Sequence, residues 1–165
     1  MFRPMRRFKQ QISEEECIRI LSSEKRGVLS MMGEDGYPYG IPLNHWYNPE
    51  DGKLYFHGAK TGHKIDAIKA NDKVSYCVYD AGYRKEGEWA LNVNSVVIFG
   101  HISLVTDENK ARMIGDNLCL KFTDDEAFIK ENGTDSFKLT FEEIDIIAGL
   151  PIDHTFLNYK KELLG

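Results

Sequence analysis

The sequence lacks the features that mark several specialised classes of protein. Among its 165 residues, no apolar run approaches the roughly 20 that a membrane-spanning helix needs. The three cysteines, Cys17, Cys77 and Cys119, form no CxxC pair and show no short His/Cys spacing, which argues against a zinc site. No internal repeat or low-complexity tract is visible. We therefore expect an ordinary globular protein with reduced, buried thiols and no metal.

Positive charge is scarce as well. Lysine and arginine number 21 against 26 aspartates and glutamates, a net charge of -5, whereas duplex binding needs clustered cations that neutralise many phosphates. Nucleic acid is therefore not expected as a partner. The basic cluster near the N-terminus is interpreted as a solvated arm or as part of an anionic-ligand site; it comprises Arg3, Arg6, Arg7 and Lys9.

The opening residues do not read as a secretory leader. The basic stretch is followed by Gln10, Gln11 and the acidic run 14–16, where a leader would carry its apolar core. The expected location is cytoplasmic, without a membrane partner.

Length and composition, 42% hydrophobic and 28% charged, predict a single domain over 1–165, with an N-terminal arm and helix at 1–25 and a helical insertion at 106–135.

Helical signals occur between the strand-like stretches. Ser13 and Glu16 have the spacing of a capping box, and Cys17, Ile20 and Leu21 follow at helical spacing, which predicts a short first helix. Further helices are expected over 63–71, over 107–120 with Thr106 or Asp107 as the cap, and over 124–132.

Six stretches have the alternation and the β-branched or aromatic content of strands. They cover 28–32, 37–47, 53–58, 74–79, 89–105 and 137–147, and the strand 89–105 is expected to bend near Gly100. The turn 33–36 predicts a hairpin, 80–88 an exposed and mobile loop, and 159–165 a frayed tail or an extra helical turn. The expected fold class is mainly β: a small antiparallel barrel of about six strands with peripheral helices.

The stretch 54–64 has the local chemistry of an anion site. An apolar strand ends on His57, the turn carries Gly58, Thr61 and Gly62, and Lys64 opens the next helix. Glycine lets backbone N–H groups approach a ligand closely, and the helix adds its positive N-terminal end. A phosphate group would suit this stretch. The alternative is an ordinary strand-to-helix connection.

Four segments together resemble the pyridoxamine 5'-phosphate oxidase-like flavin-binding split barrels, and within them most closely the nitroimidazole-resistance group. The segments are 36–44, 55–59, 62–64 and 95–100, and the likeness runs from about Met5 to the last predicted strand. The resemblance implies a split β-barrel of the FMN-binding type and a homodimer with FMN at the subunit interface. The segment 153–158 has no obvious counterpart of the basic residues that hold the substrate phosphate in the true oxidases.

The same resemblance implies a set of site residues. The segment from Ile41 to Asn44 would run beside the flavin ring, Lys64 would pair with the phosphate, and His57 would be the catalytic residue. The implied cofactor-binding residues are Ile41, Pro42, Leu43, Asn44, His57, Gly58, Ala59, Lys64, Ser95 and Val96.

The implied function is that of an FMN-dependent oxidoreductase, which takes electrons from NAD(P)H or another donor and reduces small electrophiles such as nitroaromatic compounds. The alternatives are a non-catalytic flavin- or haem-binding protein of the same fold, with His57 or His154 as haem ligand, and a pyridoxamine phosphate oxidase-like enzyme. Deazaflavin is a further candidate cofactor. His57 donates to substrate or flavin, or is structural, and Trp46, Tyr47 and Trp89 cover the flavin or pack in the core.

Overall fold

The computed structural model describes Arg6, residues 8–124, Ala127 and the backbone of two C-terminal strands. A short 3-10 helix, Phe8–Gln10, precedes the first α-helix. The α-helices in this part of the chain are α1 (Glu14–Ser23), α2 (His63–Ala70) and α3 (Glu108–Leu120). The strands are β1 (Arg26–Met32), β2 (Pro38–Asn44), β3 (Trp46–Asn48), β4 (Lys53–Ala59), β5 (Lys73–Tyr79), β6 (Leu91–Leu104), β7 (Leu139–Asp145) and β8 (Phe156–Leu163).

All described strand pairs are antiparallel, in the order β2-β1-β5-β6-β7-β4-β3, with β8 paired to β6. The mainly β class is therefore as predicted, with more strands than the expected six. The 14-residue strand β6 pairs with β5 along one edge, and along the other with β8 over 91–98 and with β7 over 101–104. This change of partner falls beside Gly100, where the sequence predicted a bend.

The main core lies on the inner face of the sheet. Leu29, Tyr76 and Ile98 stand in register across β1, β5 and β6, and all three side chains are fully buried. Helix α1 covers this face with Cys17, Ile20 and Leu21. Because side chains alternate along a strand, the neighbouring residues of β1, β5 and β6 form an outer face.

The predicted cap of α1 is confirmed. The Ser13 hydroxyl accepts a hydrogen bond from the Glu16 backbone N–H at 3.2 Å. The Glu16 carboxylate accepts two hydrogen bonds from the Arg19 guanidinium, at 2.6 and 2.8 Å. Asp107 caps α3 in the same way, accepting from the Lys110 N–H at 2.7 Å.

The predicted strand 37–47 is wrong in one respect, because it divides into β2 and β3 at His45. The His45 side chain turns into the core, where its ring is completely buried and hydrogen-bonded. Its backbone N–H donates to the Lys25 carbonyl rather than to a strand partner. These contacts interrupt the strand between Asn44 and Trp46.

The segment 80–88 is largely exposed, as predicted, and its first residues are anchored, since the Asp80 carboxylate accepts from the N–H groups of Gly82 and Asn94 and from the Asn94 amide. Tyr83 and Asn92 also exchange two backbone hydrogen bonds of 2.9 Å. The predicted tail 159–165 is corrected over 159–163: these residues are neither frayed nor helical, because they belong to β8, which pairs along β6. The expected helix 124–132 lies almost entirely outside the described residues.

The three thiols form no disulfide, and Cys17 is buried whereas Cys77 and Cys119 are half-buried. Burial raises the pKa of Cys17 to about 11, so its thiol stays protonated and unreactive at neutral pH.

Among the described residues, no helix is long and apolar enough to cross a membrane. That part of the chain also contains no cluster of three or more His, Cys, Asp or Glu side chains suited to a metal ion.

Candidate functional site

Strand β2 forms one end of the sheet, and its outer edge pairs with no other described strand. The sequence suits this position, because Pro38 and Pro42 cannot donate to a ladder and are tolerated at a sheet edge. Strands β2 and β4 approach each other, but among the described strands no ladder joins them. The backbone of β2 therefore offers hydrogen-bonding groups along one side of a split in the sheet.

The N-terminus of α2 lies next to this split. Gly62 precedes the helix with a positive φ of 123° and makes no side-chain cap hydrogen bond. A Cβ atom at Gly62 would meet nothing within 4 Å, so there is open space in front of the helix. Lys64, in the first turn, is only 8% exposed. An open helix start beside a buried lysine is a suitable place for an anionic group.

A ring stack connects β2 with the start of α2. The Tyr39 and His63 rings lie with their centroids 4.2 Å apart and their planes within 7° of parallel. Tyr39 is half-buried against the main core, whereas His63 is exposed and is the first residue of the helix.

Behind β2, a buried hydrogen-bond network holds the strand in place. The Tyr76 hydroxyl lies 2.9 Å from the Leu43 carbonyl and 2.9 Å from His45 Nδ1, and His45 Nε2 lies 2.7 Å from the Leu21 carbonyl. A neutral imidazole that donates from Nε2 accepts at Nδ1, so the single Tyr76 proton is shared between Nδ1 and the Leu43 carbonyl. Burial, and then the charge of Lys121, lower the pKa of His45 to about 3. His45 is therefore neutral at physiological pH.

Lys121, directly after α3, ties three segments together. Its ammonium group donates to the backbone carbonyls of Glu24 at 2.7 Å, His45 at 2.9 Å and Leu21 at 3.5 Å. Burial lowers the pKa of Lys121 to about 8, partly opposed by Glu24. The end of α1, the β2–β3 break and the end of α3 thus share one cation. Sequence reasoning identified neither Lys121 nor Tyr76.

The sequence-predicted cofactor residues fall into two groups. The first group lies around the split: Ile41 to Asn44 on β2, His57 to Ala59 at the end of β4, and Lys64 on α2. Ile41 and Leu43 pack against the main core, while Pro42 and Asn44 lie on the opposite face of the strand. The Asn44 amide oxygen accepts from Arg26 Nε at 2.8 Å, so its NH₂ group is the part available to a ligand.

His57 is half-buried near the end of β4, where its backbone is in register with Phe141 of β7. Along β4 its side chain shares a face with Tyr55, which packs with α3, whereas Phe56 belongs to the main core. The catalytic role of His57 stays a prediction. Of the three aromatic candidates, Tyr47 is in the main core, Trp46 stacks on Tyr55 at 5.5 Å, and Trp89 is exposed.

The second group, Ser95 and Val96, lies on β6, with β1 and β5 between it and β2. Val96 is fully buried, and its neighbours on the two sides are Val78 and Asn158, so it offers no surface to a ligand within one copy of the chain. Ser95 lies on the outer face, where its hydroxyl is buried and makes no hydrogen bond with any side chain or backbone group that the structure describes. An unsatisfied buried hydroxyl is the kind of group that a bound polar ligand would satisfy.

The outer face of β2, β1, β5 and β6 carries rows of small and apolar side chains. One row comprises Pro42, Val28, Cys77 and Val97, and the next Gly40, Ser30, Ser75 and Phe99. A cavity of about 610 Å³ opens on the second row, bordered also by Met32, Lys73 and Asn71. Val28, Met32 and Tyr79 are exposed on this face although they are large and apolar.

The family comparison agrees with this architecture. Residues 13–146 match the family model described as pyridoxamine 5'-phosphate oxidase. The chain belongs to the pyridoxamine 5'-phosphate oxidase family. The predicted family and split-barrel fold are thereby confirmed. A search of curated protein sequences finds no match.

Of three solved structures with the same fold, one is named for antibiotic resistance and two are named for the cofactors that they bind. One is a provisionally named 5-nitroimidazole antibiotic resistance protein from Bacteroides thetaiotaomicron, with a TM-score of 0.74 and 16% identity over 92% of this chain and 87% of that one. An FAD-binding protein from Mesorhizobium loti has a TM-score of 0.63 and 23% identity over 91% and 96%. An FAD- and haem-binding protein from Mycobacterium smegmatis has a TM-score of 0.69 and 18% identity over 92% and 72%. At these identities the likeness concerns the fold.

Proposed function

We propose that this chain is a flavin-dependent oxidoreductase that binds FMN at the split between β2 and β4 and reduces small electrophiles such as nitroaromatic compounds. The observation that carries the proposal is the buried Lys64 in the first turn of α2, behind an open helix start that has no side-chain cap. Family membership and the flavin-binding neighbours of the same fold support the choice of ligand.

The residues around the split fit a phosphate-bearing flavin. Lys64 and the first N–H groups of α2 would hold the phosphate, because a cation and a helix N-terminus both favour a dianion. The backbone of β2 from Ile41 to Asn44 would face the polar edge of the flavin ring, and the Asn44 NH₂ group adds a donor there. When bound, the flavin supplies the hydride and electron chemistry. The protein's own contribution is to orient the ring and to shape the space above it.

We further propose that two copies of the chain associate through the outer face of β2, β1, β5 and β6. The exposed apolar side chains of that face would then be covered. Ser95 lies on the same face, and its role at the cofactor stays a prediction. The cofactor-binding role of Val96 likewise stays a prediction.

Flavin binding is tested by titrating the protein with FMN and following the quenching of flavin fluorescence. Lys64→Ala should weaken FMN binding at least about tenfold, the effect of losing one charge-assisted contact, and should leave riboflavin binding unchanged. Lys69→Ala, an exposed lysine in the last turn of the same helix, is the control and should bind FMN normally. Equal affinities in Lys64→Ala and wild type would remove Lys64 from the phosphate site.

Activity is tested by steady-state oxidation of NAD(P)H with a nitroaromatic acceptor, with and without FMN. Turnover that requires FMN would support an oxidoreductase. FMN retained through gel filtration without any turnover would favour the non-catalytic flavin-binding alternative. A Soret band in the purified protein would favour the haem alternative, and no retained chromophore of any kind would contradict the proposal.

A further inference from the structure

We infer that Tyr39 and His63 are a positioning pair that fixes the N-terminus of α2 relative to β2, and thereby sets how strongly the site holds the phosphate end of its ligand. This inference rests on the proposed function. Neither residue was implied by the family resemblance as a site residue. The observation is the near-parallel stack between the strand that would hold the flavin ring and the first residue of the helix that would hold the phosphate.

The start of α2 needs such a contact because the rest of the helix is held elsewhere. Ile65, Ala67 and Ile68 are buried, and together with Lys64 they fix the inward face of the helix. His63 is exposed, and Gly62 before it has a positive φ and provides no side-chain cap. An eight-residue helix without a cap has little intrinsic stability at its first turn. The stack with Tyr39 therefore restrains the turn whose N–H groups point toward the anion.

The surroundings of the pair restrict its geometry further. Tyr39 is half-buried and packs against the main core, so its ring is a fixed platform. On the opposite strand, Met31 is in register with Tyr39, and the turn begins two residues later at Gly33. A Cβ atom at Gly33 would come within 3.1 Å of His63 Nε2, so the imidazole lies close to the backbone of the β1–β2 turn. The His63 ring thus stacks on Tyr39 and has its Nε2 edge near the Gly33 backbone.

A positioning role and a merely structural role predict different effects on two ligands that share one ring system. FMN and riboflavin differ only in the phosphate. If the stack sets the position of the α2 N-terminus, its loss weakens FMN binding and leaves riboflavin binding nearly unchanged. If the stack only stabilises the fold, its loss affects both ligands equally or neither of them.

The experiment measures dissociation constants of FMN and riboflavin, by quenching of flavin fluorescence, for wild type and five variants. Tyr39→Leu removes the ring platform, His63→Ala removes the partner at an exposed position, and the double variant tests whether they act together. Tyr39→Phe keeps the stack. Tyr37→Leu replaces an exposed tyrosine of the adjacent turn and is the matched control. Thermal unfolding of each variant verifies that it is folded.

We expect Tyr39→Leu and His63→Ala each to weaken FMN binding about threefold to tenfold, the range for an aromatic pair, with riboflavin affinity within twofold of wild type. The double variant should be no weaker than the poorer single variant, and Tyr39→Phe and Tyr37→Leu should resemble wild type. Unchanged FMN affinity in both single variants, or equal losses for FMN and riboflavin, would overturn the positioning role while the proposed function stands. Wild-type protein that binds neither flavin would instead overturn the proposed function and this inference with it.

Discussion

At the scale of single residues, the most constrained side chains are those behind β2. Tyr76 lies at the centre of the network and links β5 to the Leu43 carbonyl and to His45. Both partners are more than 30 residues away from Tyr76 in sequence. The segment proposed to face the flavin ring is therefore fixed from behind by buried hydrogen bonds. Its position does not depend on the ligand.

Removing the Tyr76 hydroxyl tests this network. Tyr76→Phe leaves the aromatic packing but deprives the half-buried Leu43 carbonyl and the buried His45 Nδ1 of their shared donor, which should lower the free energy of unfolding by about 1–3 kcal/mol. Urea denaturation measures the loss. Tyr79→Phe, on the same strand but 61% exposed, is the control and should change stability by less than about 0.5 kcal/mol. Similar values for the two variants would contradict the network's contribution.

His45 should make the protein acid-sensitive. Its pKa in the folded state is about 3, below the ordinary value of 6.5. Between pH 6.5 and pH 3, the imidazole is therefore protonated in the unfolded chain but neutral in the folded one. Above pH 6.5 the imidazole is neutral in both states and contributes nothing; as pH falls from 6.5 toward 3, stability is lost, roughly 3 kcal/mol between pH 7 and pH 4.

The matched comparison for this effect is His45→Gln, which cannot titrate. Its free energy of unfolding starts lower at pH 7, and it should decline less than that of the wild type when urea denaturation is repeated at pH 4. Parallel declines in the two proteins would show that His45 is not the source of the acid sensitivity.

Sequence reasoning at this scale found the residues whose chemistry is local and missed those whose partners are distant. Lys64 could be placed at a helix start because Gly62 and His63 stand directly before it. The roles of His45 and Lys121 could not be predicted, because their partners lie 24 to 100 residues away in sequence. The Tyr39–His63 stack was missed for the same reason.

At the scale of secondary-structure elements, the hairpin between β5 and β6 illustrates how glycines set local geometry. Gly82 and Gly87 both have positive φ angles, 77° and 79°. They differ in surroundings: a Cβ atom at Gly82 would lie 2.7 Å from the Asn92 carbonyl oxygen, whereas one at Gly87 would meet nothing within 4 Å. Alanine substitutions at the two positions therefore distinguish the effect of backbone strain from the effect of a steric collision.

We expect Gly87→Ala to cost only the strain of a positive φ, about 1 kcal/mol of unfolding free energy. Gly82→Ala carries the same strain and must also displace the Asn92 backbone, so its loss should be at least about 2 kcal/mol. Thermal or urea unfolding of the two variants gives the comparison. Equal losses of unfolding free energy in the two variants would mean that the backbone at Tyr83 and Asn92 can shift to accommodate the Gly82→Ala methyl group without loss of stability.

Element types and many boundaries were predictable where the signal was periodic or capped. Ser13 marked the start of α1, and β4, β5 and α3 lie within one or two residues of their predicted ranges. The division of 37–47 was not predictable, because it arises from the long-range bonds of His45. Strand β8 was missed because its pairing partner, β6, is more than 50 residues away.

At the scale of the whole molecule, the outer face of β2, β1, β5 and β6 is the surface through which we propose that two copies of the chain associate. In the proposed dimer, Val28 lies near the middle of this face, in register with Pro42 and Cys77. Val28→Asp places a charge there and should convert the dimer to a monomer, because an unpaired buried charge is strongly unfavourable at an interface. Light scattering coupled to size-exclusion chromatography measures the mass.

Tyr37→Asp is the control for this substitution. Tyr37 is more exposed than Val28 but lies in the β1–β2 turn, away from the rows of the outer face, so the mass should stay that of wild type. A wild-type protein that is already monomeric, or a Val28→Asp variant that stays dimeric, would contradict the proposed interface. The fold class and the family were predictable from sequence, whereas the extent of this face emerged only from the strand register.

The two partners of β6 along one edge also bear on how the molecule folds. Along the edge opposite β5, residues 91–98 acquire their partner only from 156–163, and residues 101–104 only from 142–145. Closing such long loops is entropically slow, and until they close, one edge of a long apolar strand displays unpaired backbone groups. The strand that organises the finished sheet is thus, during folding, the segment most prone to pair with another chain.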